Sequence, residues 1–351
     1  MKSRNNSHIL VIIALGIATL FTSSCSQAPE KVIEDSKFFM GTIVQIKVSI
    51  DRAKYDETRA RAAISKAFDE IKRIEDIYSV YKDTSEISRI NRLRKNERLQ
   101  ISDGVFNLIR KTLDYSERTD GAFDITVKPL VDLWRGARQA NKLPDQNELG
   151  RILERVGYKN VVLDKAARTI QFKKEGMSID LGGAAKGYAT DRAVRILEEN
   201  GIENAIVNSG GDMYCLGKRT AREFWKVGVQ HPRDRNRLFL EIKIKDKAID
   251  TSGDYERYFV LGGKRYSHII NPRTGYPIGD DVVSSSVIAG DSATSDILAT
   301  AMCILGQKGF DVIKREPGVV DVVLVTEIAG RLTVNMTEGI RKRYDISEEK
   351  L

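Results

Sequence analysis

Tyr258-Phe-Val-Leu-Gly-Gly-Lys-Arg-Tyr-Ser-His-Ile-Ile270 decides the fold class. Two runs rich in aromatic and β-branched residues flank the pair Gly262-Gly263. A two-residue glycine turn suits the right-handed twist of an antiparallel hairpin, so 258–261 and 266–270 are predicted to pair. The same signal recurs on both sides. Residues 160–163 and 169–173 flank Asp164-Lys165, and residues 319–326 and 331–335 form a last hairpin. Further strands are expected at 205–208, 225–230, 238–244 and 282–289, with helices at about 184–199 and 293–305. Nearer the N-terminus, 38–50 alternates and reads as one strand. Apolar residues at helical spacing mark 56–78, Ser102 caps a helix running to about Arg118, and 128–139 and 146–156 are plausible helices. Hairpins dominate over βαβ units. The expectation is α+β: a largely antiparallel sheet with flanking helices in one unit over 37–345, not a doubly wound fold.

Composition narrows the function classes. With 41% hydrophobic residues and only seven prolines, the chain is too apolar to be disordered. A net charge of +8 is modest for 351 residues, and its basic and acidic residues are interleaved, so no nucleic-acid partner is indicated. No apolar run approaches the roughly 20 residues of a spanning helix, which excludes a polytopic membrane protein. Lys2 and Arg4, the apolar run from Ile9 to Phe21 and the small residues before Cys25 read as a secretory leader over 1–24. Cys25 then has the place of a lipidated first residue, although Thr22 stands where Leu is usual, and the alternative is an ordinary leader with an incidental cysteine. A lipid there would tether the protein to a bacterial membrane on its periplasmic side, with 25–36 as a polar tether. Cys215 and Cys303 lie in apolar contexts and are expected to be buried free thiols.

Common chemical signatures are missing. There is no G-x-G-x-x-G, no G-x-x-x-x-G-K-[ST], no G-x-S-x-G and no H-E-x-x-H. What stands out is a set of short polar stretches at strand ends. In Asp180-Leu-Gly-Gly-Ala-Ala-Lys186 two glycines run into a helix start with a lysine one turn in. That arrangement suits an anion, through backbone N–H groups and the helix dipole, or else is a tight turn with a surface lysine. Asp296 and Thr300 share a helix face, which suits a hard cation such as Mg²⁺, or else a first-turn acid and a back-bonded threonine. Asn208–Asp212, Thr251–Glu256 and Ser267–Gly275 place Asp, Ser and His at strand ends. His268 is the natural general base, unless its ring only bonds its own turn. In Gly121-Ala122-Phe123-Asp124 an aromatic beside a carboxylate could hold a planar ring, or a strand could simply bury Phe123.

Taken in order, these stretches resemble the ApbE family, the FAD:protein FMN transferases. The resemblance runs from Met40-Gly41-Thr42 through Tyr81, Ser85–Asn91, Gly121–Asp124, Asp180–Asp191, Asn208–Asp212, Ser252–Glu256 and His268–Gly275 to Asp296–Thr300, over about 37–335. It implies an α+β unit whose cleft binds FAD and Mg²⁺. Met40, Tyr81, Ala122, Phe123 and Asp124 would line the flavin and adenine regions, and Asp180, Lys186 and Ile270 would also contact FAD. Asp296, Thr300 and the carbonyl of Gly183 would hold Mg²⁺. The commoner pattern has Ala at 183 and often Ile at 184; a backbone ligand survives that change.

The implied reaction moves FMN from FAD to a Thr or Ser hydroxyl of an acceptor flavoprotein, such as a subunit of a redox-driven ion pump, and releases AMP. His268 would take the hydroxyl proton, and Asp254 or a metal-bound route could share the role. The protein would be a periplasm-facing lipoprotein, taken to sit on the inner membrane. The rival readings are an FAD pyrophosphatase, a non-catalytic FAD-binding lipoprotein, and an interaction lipoprotein with no ligand.

Overall fold

Met40 and Gly41 have φ of 52° and 74°, and this pair folds the first apolar stretch back on itself. Two successive residues with positive φ make the tight turn that hairpin twist favours. The single strand expected at 38–50 is therefore a hairpin of β1 (Lys31–Phe39) and β2 (Thr42–Ile50), with Phe39 facing Thr42. Residues 31–36, expected in a polar tether, belong to β1. Their polar composition reflects an edge strand: Glu34, Asp35 and Ser36 are exposed, and charge on an edge discourages further pairing. The computed structural model describes residues 31–50, 56–234, 236–279 and 281–348, so the leader and Cys25 lie outside the described residues.

The hairpin leads into α1 (Glu57–Tyr78), α2 (Glu86–Ile90), β3 (Arg98–Gln100) and α3 (Asp103–Arg118). Next come α4 (Lys128–Ala140), α5 (Gln146–Leu153), β4 (Val161–Asp164), β5 (Thr169–Phe172) and α6 (Ala185–Glu199). Strands dominate thereafter: β6 (Ala205–Ser209), β7 (Asp212–Leu216), β8 (Trp225–Gln230), β9 (Leu238–Ile244), β10 (Lys247–Gly253), β11 (Tyr258–Leu261), β12 (Lys264–Ser267) and β13 (Val282–Ala289). The last elements are α7 (Ser292–Leu305), α8 (Gly309–Ile313), β14 (Asp321–Ile328), β15 (Arg331–Met336), α9 (Glu338–Arg343) and β16 (Asp345–Glu348). Folded structure thus extends past residue 345 on a strand the sequence did not signal.

One eight-stranded sheet organises the molecule, in the order β1-β2-β6-β7-β10-β13-β14-β15. Every ladder in it is antiparallel, so the architecture is the expected α+β. Period-2 alternation sends side chains to two cores. Along β14, Val322 and Leu324 join the core built with α1, α6 and α7, while Val323 and Val325 join the core under the β16-β9-β8 sheet. Cys215 and Cys303 are buried free thiols. The β11–β12 ribbon closes on Gly262-Gly263 as expected, with Leu261 facing Lys264. It ends at Ser267, so His268–Ile270 leaves the ladder, and Ile270 keeps a single bridge to Pro277. Phe123 is not on a strand either. Asp124 instead caps a 3₁₀ turn at Ile125–Val127.

The crossing of α6 and α7 has no spare room. A Cβ added to Gly187 would lie 2.3 Å from the Ser292 carbonyl oxygen and 2.8 Å from the Ala293 nitrogen, both backbone atoms. Gly187→Ala is expected to cost stability at or beyond the top of the ~1–3 kcal/mol overpacking range. Thermal melting checks this, and a Tm equal to that of the parent would contradict the packing.

Candidate active site

The site grows from one row of the sheet. Val44, Ser209, Asp212, Asp250, Val287 and Val322 are successive cross-strand neighbours on the face that α6 and α7 cover. Two of the six are aspartates, both buried and directly opposed on β7 and β10. Lys186, in the first turn of α6, reaches down to Asp212, and its ammonium is 3.9 Å from Asp296. Burial disfavours the lysine's charge. The attraction of Asp212 and Asp296, with Asp250 adding more distantly, outweighs it and holds Lys186 well above the ordinary lysine range.

Asp296 is buried one turn into α7, where its Oδ2 accepts the Gly187 N–H at 3.2 Å. Burial and then the Asp212 charge push its carboxyl up to about 7, against the pull of Lys186 and the Gly187 bond. Thr300 sits one turn further, 3.4 Å from the Ser252 hydroxyl. A Cβ on Gly183 would lie 3.1 Å from both Thr300 Oγ1 and Phe123 Cε2, so the glycine loop, Thr300 and Phe123 meet at one point. Lys186, Asp296, Thr300, Gly183 and Phe123 are therefore one constellation. Among the described residues, no three His, Cys, Asp or Glu side chains form a metal-holding group.

His268 approaches from the β11–β12 ribbon. Its Nδ1 lies 2.9 Å from the Arg257 carbonyl, and its own N–H donates to the same oxygen at 3.0 Å. A carbonyl only accepts, so Nδ1 carries the hydrogen and Nε2 keeps its lone pair. The ring does bond its own turn, and that bond is what leaves Nε2 available. The side chain is exposed on the surface, yet the protein mass around the ring lowers its proton affinity, to about 4. The Arg257 carbonyl opposes this, and the charges of Arg257 and Lys186 add to it. The Arg257 guanidinium donates to the Gly41 carbonyl at 3.2 Å, while Glu75 accepts the Met40 N–H at 3.0 Å. The Met40-Gly41 turn is thereby pinned beside the histidine loop.

Other expected site residues sit further out or deeper. Tyr81 is 74% exposed beneath the Arg135 guanidinium, 5.6 Å from its ring. Asp180 accepts the Gly182 N–H at 2.8 Å, and burial raises its carboxyl above the usual range against Lys128 and Arg135. Ile270 is buried with Leu130 and Trp134, whose indole donates to the Gly275 carbonyl at 2.7 Å. Ala122 is fully buried. The Asp124 carboxylate is occupied by the Thr126 N–H and hydroxyl and the Tyr158 N–H, at 2.7–2.8 Å, so it shapes the loop that presents Phe123. Asp254, the other residue expected to share the base's role, is held by Arg233 at 2.9 and 3.1 Å and by Arg265 at 3.2 Å. A cavity of about 710 Å³ between α3 and α6, lined by Arg110, Tyr188, Arg195 and Tyr214 among others, includes none of the expected site residues.

Sequence reasoning missed Asp250. Its signal was a carboxylate inside the short run Lys247-Ala-Ile-Asp-Thr, where a central strand has little reason to carry one.

Known proteins resemble this chain in sequence and in fold. The profile described as the ApbE family matches residues 40–324. The chain is 33% identical over 299 residues to an FAD:protein FMN transferase of Klebsiella pneumoniae (strain 342), covering 85% of this chain and 90% of that one. It is 28% identical to a protein of the same description from Treponema pallidum (strain Nichols), over 95% and 94% of the two chains. Among solved structures, the ApbE protein of Thermotoga maritima superposes with a TM-score of 0.80 at 35% identity, over 89% of this chain and 99% of that one. The flavin transferase ApbE of Vibrio cholerae superposes at 0.77 with 27% identity, over 90% and 99%. With the family profile matching most of its length and a relative 33% identical over 85% of it, the chain belongs to the ApbE family.

Proposed function

We propose that this protein is an FAD:protein FMN transferase. The single observation that carries the reading is the constellation of Lys186, Asp296, Thr300 and Gly183 with a neutral His268 nearby. It supplies a cation and hard oxygen donors around one point, with a proton acceptor near enough to feel the Lys186 charge, which is what phosphoryl transfer needs. An acceptor Thr or Ser hydroxyl attacks the FMN-side phosphorus of FAD. The new P–O bond forms as the bond to the AMP-side bridging oxygen breaks, and AMP leaves with the electron pair. His268 Nε2 takes the hydroxyl proton, because its tautomer leaves that nitrogen free. Lys186 faces the charge that develops on phosphate and is held charged for that task by Asp212.

The donor set fits Mg²⁺. One carboxylate (Asp296), one hydroxyl (Thr300) and a backbone carbonyl (Gly183) are hard oxygens, and Mg²⁺ is ordinarily held by one or two carboxylates plus substrate phosphates. When bound there, the ion would neutralise pyrophosphate charge in the transition state.

The acceptor is read as a flavoprotein with an accessible Thr or Ser, such as a subunit of a redox-driven ion pump. The leader and Cys25 support a lipid anchor facing the periplasm on the inner membrane, which would hold enzyme and acceptor on one surface and raise their effective concentration. A second reading rests on the exposure of His268, which admits water. With water as nucleophile the same site would give free FMN and AMP.

Acceptor replacement separates the two readings. Wild-type acceptor should gain covalent flavin on incubation with enzyme, FAD and Mg²⁺, and its Thr→Val variant should not. AMP release that is equal with both acceptors would favour the hydrolase.

The state of His268 gives a pH prediction. A group with pKa lowered to about 4 is half neutral at that pH and almost wholly neutral, and able to accept a proton, from about one unit above it. At saturating Mg²⁺, kcat should therefore hold from pH 8 down to about pH 5. An acid limb near ~6.5, the ordinary histidine value, would contradict this.

A further inference from the structure

Asp250 stands where a central strand rarely tolerates a carboxylate. It is fully buried, and its direct neighbour across the ladder is another aspartate. Opposed like charges weaken a sheet, and a buried carboxylate must find donors for its lone pairs. The two acids meet this differently. Asp212 holds the Lys186 ammonium. Asp250 Oδ1 accepts the Met213 N–H at 2.8 Å and the Ser292 hydroxyl at 3.0 Å. Its Oδ2 accepts the Ser292 hydroxyl at 2.8 Å and also the Ser295 hydroxyl. One carboxylate thus ties β7 and β10 to the first turn of α7.

Capping does not explain that tie. The helix N–H groups are already satisfied elsewhere: Ser292 and Ala293 by the Asp191 carboxylate, Thr294 by the Asp291 carboxylate and Ser295 by the Asp291 carbonyl. Asp250 grips side-chain hydroxyls three residues apart on one helix face, and that grip resists rotation of α7 about its own axis. Asp296 follows Ser295 directly, and Thr300 lies one turn beyond. A roll of the helix would carry Asp296 away from Lys186 and Thr300 away from Gly183.

We propose that Asp250 is a positioning residue for the reaction: through Ser292 and Ser295 it fixes the roll of α7 and so aims Asp296 and Thr300 at the cation and pyrophosphate. The inference rests on the reading of Asp296 and Thr300 as Mg²⁺ ligands. It is the outer-shell support that metal ligands need, and loss of such support characteristically lowers metal affinity about 10–100-fold.

The test uses the full chain and three variants: Asp250→Asn, Ser295→Ala and, as a control, Asp321→Asn. Asp321 is an equally buried acid on β14, held by Arg343 and the Thr337 hydroxyl, and none of the site residues bonds to it. Mg²⁺ is titrated at saturating FAD with thermal stability as the readout, and FAD affinity is measured separately without Mg²⁺. Asp250→Asn and Ser295→Ala should raise the half-saturating Mg²⁺ concentration by about tenfold or more, with metal-free FAD affinity within about twofold. Asp321→Asn should lower Tm and leave Mg²⁺ half-saturation unchanged. Ser295→Ala removes a single hydroxyl and decides the matter alone if Asp250→Asn does not fold. Half-saturation equal to wild type in Ser295→Ala, or a shift no larger than that of Asp321→Asn, would overturn the proposal. A wild-type protein that shows no Mg²⁺-dependent stabilisation would sink the cation-ligand reading itself, and this inference with it.

Discussion

Asp296→Asn should lower flavin transfer by roughly 10³-fold, the scale of losing several kcal/mol of charge stabilisation at the phosphates. The same change should raise the melting temperature of the metal-free protein at pH 8. The two effects share a cause. Burial, with Asp212 close by, pushes the Asp296 carboxyl up to about 7, whereas in an unfolded chain it titrates near ~3.9. The folded protein therefore holds this proton more tightly than the unfolded chain does. Its contribution to stability is full below pH ~4 and is lost as pH rises through about 7. The amide has no charge to lose, so its advantage over wild type should grow from pH 5 to pH 8. It also keeps an oxygen for the Gly187 N–H. Melting in chelator at both pH values, alongside a transfer assay, checks the pair. A variant that melts below wild type at pH 8, or that keeps more than a tenth of the activity, would contradict this account. An acid held in a place that costs stability until a cation arrives is how a binding site differs from a structural ion pair.

The second large effect is at His268. His268→Asn should lower kcat by about 10²–10⁴, the usual contribution of a positioned general base. Asparagine isolates the chemistry. Its amide N–H₂ can take over the donation that Nδ1 makes to the Arg257 carbonyl, so the loop stays tied, while nothing replaces Nε2. Affinity for FAD should stay within about threefold of wild type. If kcat is preserved, the proton leaves by another route.

Much of this site was legible in the sequence because polar residues at strand ends are conspicuous. The Asp180–Lys186 glycine turn, the Asp296/Thr300 helix face and His268 beside a hairpin all have local signatures, and the structure brings Lys186, Gly183, Asp296 and Thr300 together. The α+β class was legible because hairpins announce themselves through turns such as Gly262-Gly263. Other features depend on what lies opposite, which no local pattern encodes. β10 was overlooked because Asp250, Thr251 and Ser252 look like loop residues. They are buried or half-buried partners of β13 and α7. Residues 31–36 of the tether expected at 25–36 belong to an edge strand, whose exposure hides its periodicity. Asp124 is expected to contact FAD, and the fold adds what no local pattern shows: its carboxylate also accepts from Thr126 and from the distant Tyr158 N–H.

The central claim is that this chain joins FMN to a protein hydroxyl, and intact mass of an acceptor tests it most directly. Enzyme, FAD, Mg²⁺ and a candidate acceptor flavoprotein are incubated, and the acceptor is then denatured and weighed while AMP is quantified. The account predicts one FMN phosphoester per acceptor, one AMP per adduct, no adduct in the acceptor's Thr→Val variant and almost none with the Asp296→Asn enzyme. Free FMN and AMP accumulating while the acceptor mass stays unchanged would contradict it and make the protein an FAD pyrophosphatase.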